Sequence, residues 1–206
     1  MLAHTGIHSH EEVLGIYRKL NRYFNYLMYV TLLVFILGMV SYGQDFSFRN
    51  HAFSHLGRLH TQDGSNNILS LMIYGPGMLL SSLICYSLSS LIEDRAGHNL
   101  MRMAAAGYIL LIVPCDLLRL VHSIGGGLVI GSLWLFALLG MCRLRSRTGN
   151  SKFIIQQLIL QGSVLPYAFM YAMQSPLCPV FQKFALAGLI ISLKLVIVED
   201  TRKVAG

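Results

Sequence analysis

Six apolar runs, at 23–43, 67–92, 100–117, 123–142, 153–173 and 179–198, set the terms for what this chain can fold into. Each is near the ~20 residues that a helix needs to cross ~30 Å of hydrocarbon. A bilayer offers no water to peptide N–H and C=O groups, so such runs are stable there only as helices that close their hydrogen bonds internally. Composition agrees: 54% of the 206 residues are hydrophobic and 12% are charged, about half the charged share of an ordinary soluble domain. The sequence predicts an all-α polytopic integral membrane protein, a six-transmembrane-helix bundle without a separate soluble domain.

A net charge of +7 would point a soluble protein toward nucleic acid, but here the basic residues flank the apolar runs and set topology instead. Nucleic acid is therefore not expected as a partner. Arg18, Lys19, Arg22, Arg95, Arg102, Arg143, Arg145, Arg147, Lys152, Arg202 and Lys203 fall on one side, against Arg49, Arg58, Arg119 and Lys183 on the other, with Lys194 able to snorkel toward the first. The positive-inside rule then predicts a multi-pass protein of the cell membrane with both termini cytoplasmic. The chain divides into a cytoplasmic N-terminal segment, 1–22, a membrane domain, 23–198, and a cytoplasmic tail, 199–206. Ser9-His10-Glu11-Glu12 has the form of a capping box. Val13, Leu14, Tyr17 and Leu20 follow at helical spacing, opposite Arg18, Lys19 and Arg22, as in a short amphipathic helix lying in the membrane interface or, equally, in an ordinary solvated lead-in to the first span. Val40-Ser41-Tyr42 after the first run lacks a small-residue cleavage site, so that run reads as a retained helix.

Within the spans, Gly75-Pro76-Gly77, Pro114 and Pro166 are expected to bend the second, third and fifth helices. Ser123, Gly127 and Gly131 recur every four residues on the fourth and form a small-residue stripe for close helix packing inside the bundle. Gln157 and Gln161, one turn apart, predict hydrogen bonding to a neighbouring helix. No Asp or Glu stands at mid-membrane, which argues against an ion-coupled transporter.

The polar residues gather at one end. The loop 44–66 carries His51, Ser54, His55, Arg58, His60 and Asp63, and the turn 115–122 carries Asp116, Arg119 and His122; both emerge on the extracytoplasmic side. Three chemistries can use this cluster. His51, His55, Asp116 and His122 are candidate zinc ligands with an open position for water. Asp116, Arg119 and His122 can instead form a salt-bridged structural cap. Arg58, Arg119 and the histidines can receive a lipid phosphate, which a guanidinium fork suits. Haem is not expected, because no facing pair of histidines lies deep in the spans. Cys115 and Cys178 share the outer side, as independent thiols or as a bridged pair; none of the four cysteines has CxxC spacing.

Phe53-Ser54-His55-Leu56-Gly57, Asn66 or Asn67 opening the second helix, Pro114-Cys115-Asp116, and His122-Ser123 before a Gly-rich fourth helix together resemble the six-helix DRAM-like membrane family, in particular its uncharacterised prokaryotic relatives. The resemblance covers the helix plan of residues 23–198. It implies a small lipid-embedded protein connected with membrane lipid handling, and no established catalytic residue. The leading expectation is a protein without a cofactor that binds membrane lipid or serves as an accessory subunit beside other membrane proteins. The alternative is a metal-dependent hydrolase or transferase acting on lipid headgroups at the outer face.

Overall fold

The computed structural model describes residues 10–145 and 149–205, with side chains for 11–145 and 149–198. It is all-helical: α1 (His10–Val40), α2 (Ile68–Ser90), α3 (Arg95–Leu111), α4 (Arg119–Leu144), α5 (Asn150–Ala172) and α6 (Cys178–Ala205), with one 3-10 turn, Phe53–Gly57, in the loop after α1. The described residues hold no β-strand, only an isolated antiparallel bridge between His60 and Asn66. Five helices (all but α3) are long and apolar enough to cross a membrane. Touching pairs close a ring, α1 to α2, α2 to α3, α3 to α4, α4 to α6 and α6 back to α1, with α5 outside it against α6 and α4.

The N-terminal segment departs from expectation. No interfacial helix stands apart; α1 is one unbroken helix from His10 to Val40. Neither Gly nor Pro interrupts 16–37, so nothing stops the hydrogen-bond ladder at the membrane edge. Tyr17, Leu20 and Phe24 bury in the bundle core and not among headgroups. Glu11 and Glu12 sit in the first turn, where negative charge suits the helix dipole. Ser9, the expected capping residue, lies outside the described residues.

The third helix starts five residues earlier than its apolar run. Asp94 caps it by accepting the Gly97 N–H at 2.8 Å, and the same carboxylate pairs with Arg143 at 2.8 Å, tying the start of α3 to the end of α4. Pro114 lies beyond α3 and does not kink it, because the helix already ends at Leu111, before the residue that precedes a proline leaves the helical region. Pro76 and Pro166 do sit inside α2 and α5.

Close packing falls on a different glycine stripe from the expected one. Gly107 of α3 and Gly125 of α4 face each other so tightly that a Cβ on either would come within 2.8 Å of the other's carbonyl oxygen. A methyl group at Gly127 or Gly131 would meet nothing within 4 Å, and Gly127 is exposed. The stripe of Ser123, Gly127 and Gly131 thus points away from the crossing, since Gly125 and Gly127 are about 200° apart around a helix of 3.6 residues per turn. The glutamines behave as expected: the Trp134 indole N–H donates to Gln161 at 3.0 Å and Gln161 donates to Gln157 at 3.2 Å, joining α4 to α5.

Candidate functional site

At the end of the bundle where α1 stops and α2 starts, the loop between them folds over the helices as a cap. Asn67, 1% exposed, is its hub. The amide nitrogen donates to the Arg58 carbonyl at 2.9 Å, and the amide oxygen accepts the Gly43 N–H at 3.1 Å. Asp116 reaches in from the turn after α3 and accepts the N–H groups of Leu59 at 3.1 Å and His60 at 3.0 Å. Burial alone would raise its pKa, but these two N–H donors outweigh that and hold the carboxyl below the usual range.

The histidines serve the same cap. The Ser47 N–H donates to His51 Nδ1 at 3.0 Å, so in the neutral ring Nε2 carries the proton. That N–H then donates at 2.8 Å to the Gln44 carbonyl, which turns the Gln44 amide nitrogen toward the Asp63 carboxylate at 2.7 and 2.9 Å. His55 Nδ1 accepts the Ala52 N–H at 3.3 Å. Burial, then the Arg58 charge, push its pKa down to about 4. His122 donates from Nδ1 to the Val113 carbonyl at 2.8 Å and stacks beside Tyr74. The ring is 5% exposed, and its Nε2 is buried without a partner.

Two residues of α6 lock the cap down, and the sequence reading passed over this. Gln182 accepts the Phe53 N–H at 2.8 Å. Lys183, 8% exposed, donates to the His51 carbonyl at 2.7 Å and to the Pro179 carbonyl at 3.0 Å. Its ammonium lies 4.7 to 5.8 Å from the ring centres of Phe48, Phe53 and Phe46, an arrangement in which ring quadrupoles replace lost hydration. The signal available in the sequence was Phe46, Phe48 and Phe53 in a polar loop.

Several expected groupings separate. Asp116 forms no ion pair with Arg119; the only described side chain that could pair with its charge within 4 Å is His60, with Nδ1 at 3.9 Å, because backbone N–H groups already occupy the carboxylate. The salt-bridged cap of Asp116, Arg119 and His122 is therefore replaced by a hydrogen-bonded one. Among the described residues no three metal-ligating side chains converge; His51, His55, Asp116 and His122 each spend a ligating atom on a local bond. Arg119 is exposed at the start of α4, while Arg58 is half-buried with its Nε unpartnered. Ser54 offers its carbonyl to the Cys115 thiol at 3.6 Å. All four cysteines are free.

Because burial keeps His55 neutral, acid should loosen the cap. The unfolded imidazole takes up its proton near pH 6.5 and the folded one only near 4, so His55 gives its full stability above about pH 6.5. That contribution falls away as the pH drops and is gone near 4, a loss of roughly 2–3 kcal/mol. Thermal unfolding in detergent between pH 7.5 and 4.5 measures it. His55→Asn should flatten the slope, and an unchanged slope would place the titration elsewhere.

Toward the opposite end, a narrow, partly open cleft of about 50 Å³ lies between α1, α3, α4 and α6. Leu27, Met28, Val129, Leu133, Leu186, Leu189, Ile190 and Leu193 wall it, and Phe24, Thr31 and Tyr108 complete the lining. Asn25 and Lys194 stand at its mouth. The Lys194 ammonium donates at 2.7 Å to the amide oxygens of both Asn21 and Asn25. No described carboxylate pairs with it. In the sequence the only sign was a pair of asparagines at i, i+4 opening an apolar run, with a lysine in the last run.

The fold and its two polar ends define an all-helical bundle of the multi-pass membrane type. No family model, curated protein or solved structure matches the chain.

Proposed function

We propose that this chain is a six-span protein of the cell membrane, with both termini cytoplasmic, that binds a membrane lipid in the cleft between α1, α3, α4 and α6. The even number of spans is supported by how α1 and α6 meet. Lys194, late in α6, touches Asn21 and Asn25, early in α1, while Lys183, early in α6, touches the loop that follows α1. The two helices run antiparallel, which supports an even count in which α3 crosses along with the five more apolar helices. Its lower hydropathy follows from its place between α2 and α4, where small residues replace lipid-facing leucines.

One observation carries the lipid reading: an ammonium sits at the mouth of an otherwise apolar cleft and, among the described residues, is met only by neutral oxygens. A cation held near hydrocarbon without a counter-charge marks a functional position more often than a structural one. The cap does not favour headgroup chemistry, since its histidines and Asp116 are spent on holding the loop.

Native mass spectrometry of protein released gently from its own membrane tests this reading. A lipid should be retained by the wild-type protein and lost from Leu189→Trp, which fills the cleft. Equal lipid retention by both proteins would sink the proposal. A bound second polypeptide in place of lipid would favour an accessory-subunit role.

A further inference from the structure

We infer that the occupant of the cleft is a single-chain amphiphile with a carboxylate head, a long-chain fatty acid anion taken from the leaflet nearer the termini; this rests on the lipid-binding reading above. The argument starts from Lys194. An ammonium has three N–H donors and no acceptor, and two of its donors are spent on Asn21 Oδ1 and Asn25 Oδ1. Lysine can only donate, so both amide oxygens must face it, and both amide nitrogens are left free to donate elsewhere. The ammonium keeps one N–H donor beyond the two asparagines, beside two amide groups whose oxygens it already holds, and no described carboxylate meets its charge. A cation so placed suits an anion of single charge.

Charge and shape narrow the class. A carboxylate brings one negative charge to one ammonium. A phosphate monoester brings about −1.5 to −2 and would leave excess charge poorly solvated in a low-dielectric site. The walls then select the tail. Lining residues on α6 run from Leu186 to Lys194, about 12 Å along the axis at 1.5 Å per residue, within one leaflet of a ~30 Å hydrocarbon core. The cleft is narrow and apolar along that length, a seat for the head-proximal part of one chain, with the rest of the tail left to the surrounding hydrocarbon. Arg18 and Arg22, exposed on the preceding turn of α1, add positive potential where a free acid would approach the mouth.

The test uses the full-length protein in a maltoside detergent, with palmitate, methyl palmitate and palmitoyl lysophosphatidic acid titrated separately and followed by native mass spectrometry. Palmitate should bind one to one, at least tenfold more tightly than methyl palmitate, and displace the lysophospholipid. Lys194→Gln should remove that preference, while Lys194→Arg keeps it and shows that the charge, not a folding defect, is responsible. Equal binding of palmitate and methyl palmitate, blocked by Leu189→Trp, would overturn the carboxylate assignment and leave the lipid cleft standing. Tighter binding of the lysophospholipid would also overturn it. Binding of all three probes that Leu189→Trp does not affect would overturn both readings.

Discussion

Replacing Asn67 with Ala should cost about 2–3 kcal/mol and release the loop between α1 and α2. The side chain is 1% exposed and links three parts of the cap: it donates to the Arg58 carbonyl, accepts the Gly43 N–H, and opens α2. Truncation leaves the Gly43 N–H and the Arg58 carbonyl, both in part-buried bonds, without these partners and empties a fully buried site; a stranded group costs about 1–3 kcal/mol, less where water reaches it. Neighbouring bonds, such as Ser70 Oγ–H to the Leu56 carbonyl at 3.0 Å, limit the collapse but do not reach the groups that Asn67 served. Asn67→Asp should fall between the two, because it keeps an acceptor for Gly43 and loses the donor. Thermal unfolding in detergent, followed by fluorescence of the single tryptophan, Trp134, gives the stability; limited proteolysis across 44–66 reports the loop. A loss below about 1 kcal/mol with an uncut loop would show that Asn67 is not the hub.

The second large effect is a contrast between two glycines of α4. Gly125→Ile should destabilise the protein by about 3 kcal/mol or more, while Gly127→Ile should leave it within about 0.5 kcal/mol. At Gly125 the first added carbon already falls 2.8 Å from the Gly107 carbonyl oxygen and 2.9 Å from Leu110 Cβ. These are backbone and near-backbone atoms of another helix, so relief requires α3 and α4 to part along their contact, beyond the 1–3 kcal/mol usual for an overpacked side chain. At Gly127 nothing lies within 4 Å, and a β-branched residue in an apolar span is well tolerated. Unfolding in graded denaturing detergent separates the variants. Equal losses would mean that α4 is rotated from the orientation described.

Gly125 and Gly127 also show where sequence reasoning stops. A period of four residues identifies a stripe of small side chains, but periodicity carries no phase relative to a neighbour. Gly125, flanked by Gly126 and Gly127, has no periodic partner on its own helix; its partner is Gly107 on another. Asp116 is similar. A carboxylate three residues from an arginine and six from a histidine invites an ion-pair reading, yet backbone N–H groups brought from residues 59 and 60 offered shorter and better-aligned bonds.

The helical class, the places of the six helices, the loop between α1 and α2 as a polar end and the bonding of Gln157 and Gln161 could all be read from the sequence. Each depends on local run length, spacing and the cost of an unsatisfied peptide group in hydrocarbon. The continuation of α1 back to His10 was equally local, and the absence of any breaker between its two halves was the clue. What only the tertiary structure decided was which charge meets which partner. Lys183 and Lys194 are two lysines eleven residues apart on α6; one is enclosed by three phenylalanines and a carbonyl from the α1–α2 loop, the other held by two asparagines of α1. Both sets of partners lie more than a hundred residues away in the chain, and their apposition follows from α6 packing antiparallel to α1, an arrangement set by the whole ring of helices and by no segment of it.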